Sequence, residues 1–178
     1  MRAKAFRILA ILVAALGSRE AAAQCSATGA PASCNLPGSV SMTPGRIVRL
    51  QVSAGSTVLT PPTPADFDAG QNSTTGPTLT VSANSSWMLQ LHASTAVWTA
   101  TNTSPGAPAR VNKPAGDLQW STSAAGPFNA LATADATLVS GPATPAIATT
   151  LYFHTLYNWI QDTPGNYSLS VVLTLTAP

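Results

Sequence analysis

The sequence predicts an all-β protein, an immunoglobulin-like antiparallel β-sandwich of about seven or eight strands preceded by a cleaved signal helix. The clearest observation is residues 167–176, where apolar side chains alternate with serine and threonine and Val172 is the exception. Because successive side chains of a strand point to opposite faces, this stretch has one apolar face, which needs a second layer to cover it. Composition agrees: beyond residue 23 the chain has one lysine and no glutamate but abundant serine, threonine and proline, which favours strands and turns.

Residues 1–23 are predicted to be a signal peptide. Three of the first seven residues are basic, residues 8–16 are apolar, and alanines at 21–23 supply the small-residue cleavage pattern before Gln24. The apolar segment is too short to span a bilayer comfortably, and no later apolar run is long enough to do so. A retained amphipathic anchor helix is the alternative. We therefore expect a protein that is secreted or held at the cell surface, with no membrane span after signal cleavage.

Charge argues against two classes of partner. The full chain has a net charge of +2, but removal of residues 1–23 leaves four cationic side chains against five aspartates, a net charge of −1. The sequence has no basic stripe, so we expect no nucleic-acid partner. For the same reason we do not expect a protein that is held electrostatically at a membrane surface.

The cysteines of the chain, Cys25 and Cys34, both follow the predicted cleavage site. In an oxidising compartment a disulfide between them is the default expectation, and Gly29 and Pro31 allow a small loop to close. Metal binding by the two thiols, with no histidine nearby, is the alternative. We expect the bridge to lie in an N-terminal extension, residues 24–40, ahead of a sandwich domain over residues 41–178.

The first half of the domain contains three predicted strands. Residues 46–52 alternate between inward valine or leucine and outward polar residues, and glycines bound the stretch. A proline-rich segment and a polar loop over residues 65–75 follow. Residues 78–82 and 86–92 are the next strands. The intervening Ala83-Asn84-Ser85 has turn chemistry, which predicts a β-hairpin.

The second half contains shorter strands and two long ones. Short strands are predicted over residues 96–100 and 117–122 and near residues 137–139. The strongest internal alternation covers residues 149–159. The turn over residues 162–166 then returns the last strand antiparallel to it. Turn signals at these spacings are typical of sandwiches.

Two stretches resemble the WxL-type surface domains of bacteria. Trp87-Met88-Leu89 matches the W-x-L tripeptide, and residues 167–178 are similar to the closing tyrosine-led strand of that family, with Leu173 where the family has its second tryptophan. The layout is also similar to spore-coat-U-like and pilus-subunit proteins. The resemblance implies an exported, non-enzymatic β-sandwich with a structural or adhesive role. Its expected partners are a cell-envelope polymer, other surface proteins or a second copy of itself, through cell-wall association or self-assembly.

No catalytic residue, metal site or cofactor is predicted. His92 and His154 are the only histidines, and a general base needs a nucleophile and an orienting group. Asp135 or Asp162 could orient either ring, but no G-x-S-x-G elbow is present, so a hydrolase is the weaker hypothesis. Residues 66–72 have oxygen ligands at positions one, three and seven, but lack the glycine spacing and the glutamate of a calcium loop.

The aromatic residues leave one further functional class. Trp87 and Trp120 occupy alternating strand positions, which predicts that they lie in the core. Trp98 and Trp159 lie near strand ends and loops, where a ring can be exposed and stack against a ligand. They are therefore the candidate ligand-binding residues of an alternative function, a carbohydrate-binding module.

Overall fold

A computed structural model of the chain describes residues 26, 28–31, 33–34, 39–102 and 109–178. The strands in these ranges are β1 (Val48–Val52), β2 (Gln71–Ala83), β3 (Trp87–Ala93), β4 (Thr99–Thr101), β5 (Leu118–Ser121), β6 (Asn129–Ala130), β7 (Ala136–Gly141), β8 (Thr144–Leu156), β9 (Asn166–Ser168) and β10 (Val171–Thr176). The helical segments are α1 (Pro64–Ala69) and a 3-10 turn (Ala115–Asp117). The predicted all-β class is confirmed, with ten strands in the described ranges rather than seven or eight.

The strands form three antiparallel sheets. The largest has the order β1-β2-β8-β5-β6, the second has the order β10-β3-β7, and β4 pairs with β9 in a small third sheet. By its internal contacts the chain divides into two units, Met1–Thr43 and Pro44–Pro178, and the sandwich lies in the second. The predicted signal peptide and Cys25 lie outside the described residues, so signal cleavage and the Cys25–Cys34 bridge stay predictions. Cys34 is described and is exposed.

The core lies between the five-stranded and three-stranded sheets. Its largest fully buried side chains come from β2, β3 and β8: Leu79, Val81, Leu89, Leu91 and Leu151. Burial of a side chain of this size contributes about 1.5–3 kcal/mol. Trp87 and Trp120 are buried as predicted. The Trp87 indole N–H donates to the Pro142 carbonyl at 2.8 Å, whereas that of Trp120 has no hydrogen-bond partner among the described residues.

The predicted hairpin between residues 78–82 and 86–92 is wrong, because β2 and β3 belong to different sheets. Both edges of β2 are already occupied, by β1 on one side and by β8 on the other. Asn84 does not form a hairpin turn but bonds to the segment just before β1. Its side-chain oxygen accepts the Ile47 N–H at 2.8 Å, and its amide group donates to the Gly45 carbonyl at 2.8 Å. The link therefore carries the chain from one sheet to the other.

The predicted pairing of the last strand with residues 149–159 is also wrong. β8 pairs with β2 along its length, and its residues 152–155 also pair with β5. Both edges of this part of β8 are therefore occupied. The predicted strand is divided between β9, which pairs with β4, and β10, which pairs with β3. Its apolar face is as predicted. The side chains of that face that pack against the core are Tyr167, Leu169, Val171, Leu173 and Leu175.

The predicted polar loop over residues 65–75 is wrong as well, because it contains α1 and the first residues of β2. Thr63 and Asp66 form a capping box: the Asp66 carboxylate accepts the Thr63 N–H and hydroxyl, both at 2.7 Å. The backbone bond from Thr63, and then its hydroxyl, hold the pKa of Asp66 below its ordinary value. Pro64 at the first turn and Gly70 at φ +74° complete the start and stop signals of a short helix.

Candidate functional site: an aromatic loop fixed by buried charges

Four charged side chains meet at one end of the sandwich. We call Arg110, Lys113, Asp117 and Asp162 the charge quartet. The Lys113 ammonium donates to Asp162 at 2.9 Å and to Asp117 at 3.2 Å, and the Arg110 guanidinium donates to the same two carboxylates at 3.0 and 3.3 Å. Lys113 also donates to the Leu156 carbonyl at 2.8 Å, so each of its three protons has an acceptor. The quartet pairs two cationic with two anionic side chains, and each side chain is at most 19% exposed.

Asp162 connects the quartet to the loop after β8, residues 157–163, which we call the aromatic loop. Its side chain is 7% exposed. Burial alone would raise the pKa of Asp162, but hydrogen bonds from Lys113 and Arg110 outweigh it and hold the pKa below its ordinary value. The second carboxylate oxygen accepts the Asn158 N–H at 2.8 Å. One buried carboxylate therefore anchors both ends of the loop.

Asn158 fixes the turn inside the aromatic loop. Its side-chain oxygen accepts the N–H groups of Ile160 at 2.9 Å and Gln161 at 3.2 Å, a local arrangement typical of asparagine in turns. Its backbone carbonyl accepts the Asp162 N–H at 2.9 Å. These bonds satisfy several backbone N–H groups of the loop locally and fix its turn.

Tyr167 ties the end of the aromatic loop to the chain beside the quartet. Its hydroxyl donates to the Thr163 carbonyl at 2.6 Å and accepts the Arg110 N–H at 2.9 Å. A tyrosine at the start of a strand that bonds the backbone a few residues upstream is the tyrosine corner of immunoglobulin-like sandwiches. This contact is therefore of the kind expected for the predicted immunoglobulin-like sandwich, while the sheets themselves show an all-β antiparallel fold.

The exposed rings lie where the aromatic loop meets α1. Trp159 is 59% exposed, and its indole N–H donates to the Asp68 carboxylate at 3.0 Å. The Phe67 ring lies 4.7 Å from the Trp159 ring and 5.2 Å from the Tyr157 ring, measured between centroids. Burial, and then the nearby Asp66 and Asp162 charges, raise the pKa of Tyr157. We call Phe67, Asp68, Tyr157 and Trp159 the aromatic cluster.

The structure separates the two candidate tryptophans. Trp159 is exposed as a ligand-binding residue would be. Trp98 is only 5% exposed, and its indole N–H donates to the Pro114 carbonyl at 3.1 Å, so its ring faces are covered by the core and offer no platform for a ligand. The sequence reasoning missed Phe67 and Asp68, which lie in the stretch it assigned to a polar loop. The Thr63-x-x-Asp66 spacing with Pro64 was a usable helix signal.

The histidines form no arrangement with a positioned nucleophile in the described residues. His92 Nδ1 lies 2.7 Å from Asp135, and both side chains are partly exposed. The hydrogen bonds described for this pair include no serine or threonine hydroxyl. His154 stacks on the Phe128 ring, with centroids 3.4 Å apart and ring planes 14° apart.

Metal ligands do not converge either. Asp66 caps α1 and Asp68 binds the Trp159 indole, so the segment that partly matches a calcium loop uses its carboxylates elsewhere. Within the described residues, no three side chains of the histidine, cysteine, aspartate or glutamate types come together as a metal site.

No family model matches the chain, and no curated protein matches its sequence. Of the helices in the described part of the chain, none has the length and apolar character needed to cross a bilayer.

Proposed function

We propose that the chain is an exported, non-enzymatic surface protein with a structural or adhesive role, and that it acts by self-assembly through a strand edge. The observation that carries this proposal is β10. Among the described residues β10 pairs with β3 alone, which leaves its other edge without a strand partner. An unpaired edge is a template for a strand of another chain.

The backbone of β10 is placed to accept such a strand. The Ser170 carbonyl accepts the Ser94 N–H at 2.9 Å, so residue 170 faces β3. Because backbone groups of an antiparallel strand alternate in direction, those of Val171, Leu173 and Leu175 face the open edge. Their side chains meanwhile lie on the core side and are only partly buried. A strand added at this edge would satisfy these backbone groups and cover more of the core.

The edge also lacks the usual protection against pairing. β10 has the sequence Val-Val-Leu-Thr-Leu-Thr, without charge or proline. Residues 144–148 of β8 are different, since they pair with β2 alone but carry Pro145. Proline and charged side chains are the common means of blocking an edge. The resemblance to surface and pilus-type proteins adds to this reasoning without identifying a partner.

The test introduces charge on the exposed face of β10. In the double variant Val172→Lys/Thr174→Lys, we expect the sedimentation coefficient at high protein concentration to fall to that of a monomer, because like charges oppose strand addition. Stability should change little, since Val172 is already 37% exposed and surface substitutions usually cost within about 0.5 kcal/mol.

A matched control carries the same charge away from an edge. Thr80 of β2 and Gln119 of β5 both lie on strands with neighbours on each side. The variant Thr80→Lys/Gln119→Lys should therefore associate like the wild type. A wild-type protein that remains monomeric at high concentration would sink the proposal, and so would association that both double variants reduce equally.

A further inference from the structure

We propose that the aromatic cluster is a carbohydrate-binding platform on which a neutral pyranose unit of a polysaccharide stacks against the Trp159 ring. This site is distinct from the β10 edge. It would give the protein a glycan ligand in addition to a protein partner.

The first argument is that the exposed ring is held in place before any ligand arrives. Trp159 is bonded through its indole N–H to Asp68 and packed against Phe67. The backbone on either side is fixed by Asn158 and by the buried Asp162. Because Trp159 is 59% exposed, these contacts bury little of its apolar surface, whereas a binding platform gains from them since less freedom is lost on binding.

The second argument concerns the chemistry of the cluster. The face of an aromatic ring is electron-rich, and the C–H groups on one side of a pyranose are weakly positive, so the two stack. Phe67 packs against the indole, with centroids 4.7 Å apart and ring planes 32° apart, and Trp159 still leaves 59% of its surface exposed to a ligand. Asp68, at the edge of that surface, offers carboxylate oxygens to sugar hydroxyls. Ile160, the next residue of the aromatic loop, is a second exposed apolar side chain.

The third argument separates a sugar from an apolar partner. Asp68 is exposed and its carboxylate borders the Trp159 ring. A lipid surface or an apolar protein face would take this charge out of water without a cation to pair with it, which is costly. A hydroxyl-bearing ligand replaces water at the carboxylate with hydrogen bonds of its own. The cluster therefore favours a glycan.

The test is affinity electrophoresis of the purified protein in gels that contain hydroxyethylcellulose, glycol chitin or mannan. We expect at least one polymer to retard the wild type. Trp159→Ala should weaken that binding about tenfold or more, as for a tryptophan at the centre of an interface. Trp159→Phe keeps an aromatic ring and should keep part of the binding, which distinguishes loss of the ring in Trp159→Ala from misfolding. Val111→Ala, which alters an apolar residue 72% exposed outside the cluster, is the matched control and should bind like the wild type.

A second readout uses the fluorescence of the protein. Trp87, Trp98 and Trp120 are buried, so quenching by acrylamide reports chiefly on Trp159. The retarding polymer should protect this fluorescence in the wild type and in Asp68→Asn, which keeps an acceptor for the indole. Three results would overturn the proposal: no retardation by any of the polymers, retardation that Trp159→Ala leaves unchanged, or binding to neutral phosphatidylcholine vesicles that Asp68→Asn strengthens.

Discussion

The charge quartet and the β10 edge are held in the fold by different kinds of interaction. At the quartet, four charged groups and the Tyr167 hydroxyl join segments far apart in sequence through bonds of 2.6–3.3 Å. At β10, the inward side chains are only partly buried, and the strand pairs with β3 alone among the described residues. Specific polar contacts fix the first region, and apolar packing that stops short of full burial holds the second.

The difference shows where this chain places its few charges. Beyond residue 23 it has nine charged side chains, and four of them are in the quartet. Buried ion pairs cost desolvation and are weak contributors to net stability, but they impose a particular geometry when every partner is present. Here that geometry positions the aromatic loop. The strand edges are left with hydroxyls and apolar groups, which permit pairing with another strand.

The largest effect is expected from breaking the quartet. Asp162→Asn leaves Lys113 and Arg110 with one carboxylate between them, and it keeps only one acceptor oxygen for the bonds that the two carboxylate oxygens accept from the cations and from the Asn158 N–H. Because a buried cation then lacks its partner, we expect the free energy of unfolding to fall by about 3 kcal/mol. Urea denaturation followed by far-UV circular dichroism measures this change.

Asp135→Asn is the control for the loss of a carboxylate. Its partner His92 and Asp135 itself are partly exposed, with side-chain exposures of 27% and 48%, so the pair contributes about 0–1 kcal/mol. Equal destabilisation by both variants would mean that the quartet is no more important than a surface pair, and the contrast between the two regions would fail.

The next effect is expected at the tyrosine corner. Tyr167→Phe removes a hydroxyl that donates to the Thr163 carbonyl and accepts the Arg110 N–H, and it leaves both backbone groups without this partner. We expect a loss of about 2 kcal/mol, since an unsatisfied buried group costs about 1–3 kcal/mol. Thermal unfolding by calorimetry provides the measurement.

Tyr152→Phe serves as the reference, because the Tyr152 hydroxyl has no hydrogen bond described for it and the substitution removes the same atom from β8. This variant should unfold within about 0.5 kcal/mol of the wild type. If Tyr152→Phe were as damaging as Tyr167→Phe, the loss could not be assigned to the corner.

Faces of strands could be read from the sequence, but strand partners could not. The alternation over residues 167–176 correctly identified the side chains that pack on the core, because side-chain direction is a local property. Asn84 was assigned to a hairpin on its turn chemistry, yet its side chain bonds Gly45 and Ile47, residues 37 or more positions away. Which edge is already occupied depends on the whole sheet, and a window of a few residues does not contain that information.

The candidate site divides in the same way. Trp159 lies at the end of a long predicted strand, next to a loop, and exposure at such a position is a local expectation. Trp98 has a similar position in the sequence but is buried, since Lys113 and Pro114 close over it through bonds to its backbone and its indole. The quartet joins Arg110 to Asp162 across 52 residues. The sequence signal available for the quartet was that the chain has few charged residues, so that those it has would pair with one another.

The smallest expected difference is between two leucines that are neighbours on adjacent strands of the second sheet. Leu91 of β3 and Leu173 of β10 are register partners, but Leu91 is 0% exposed and Leu173 is only partly buried. Leu91→Ala should cost about 3 kcal/mol and Leu173→Ala about 1–2 kcal/mol in the monomer, because a half-exposed side chain loses less transfer free energy and leaves no closed cavity. Urea denaturation at low protein concentration measures both.

Repeating the measurement at a concentration where the protein associates sharpens the comparison. An added strand would cover Leu173, so the cost of Leu173→Ala should rise toward that of Leu91→Ala, while the cost of Leu91→Ala stays constant. Equal costs for both leucines at low concentration would mean that the core beside β10 is already closed, and the case for an accepting edge would be lost.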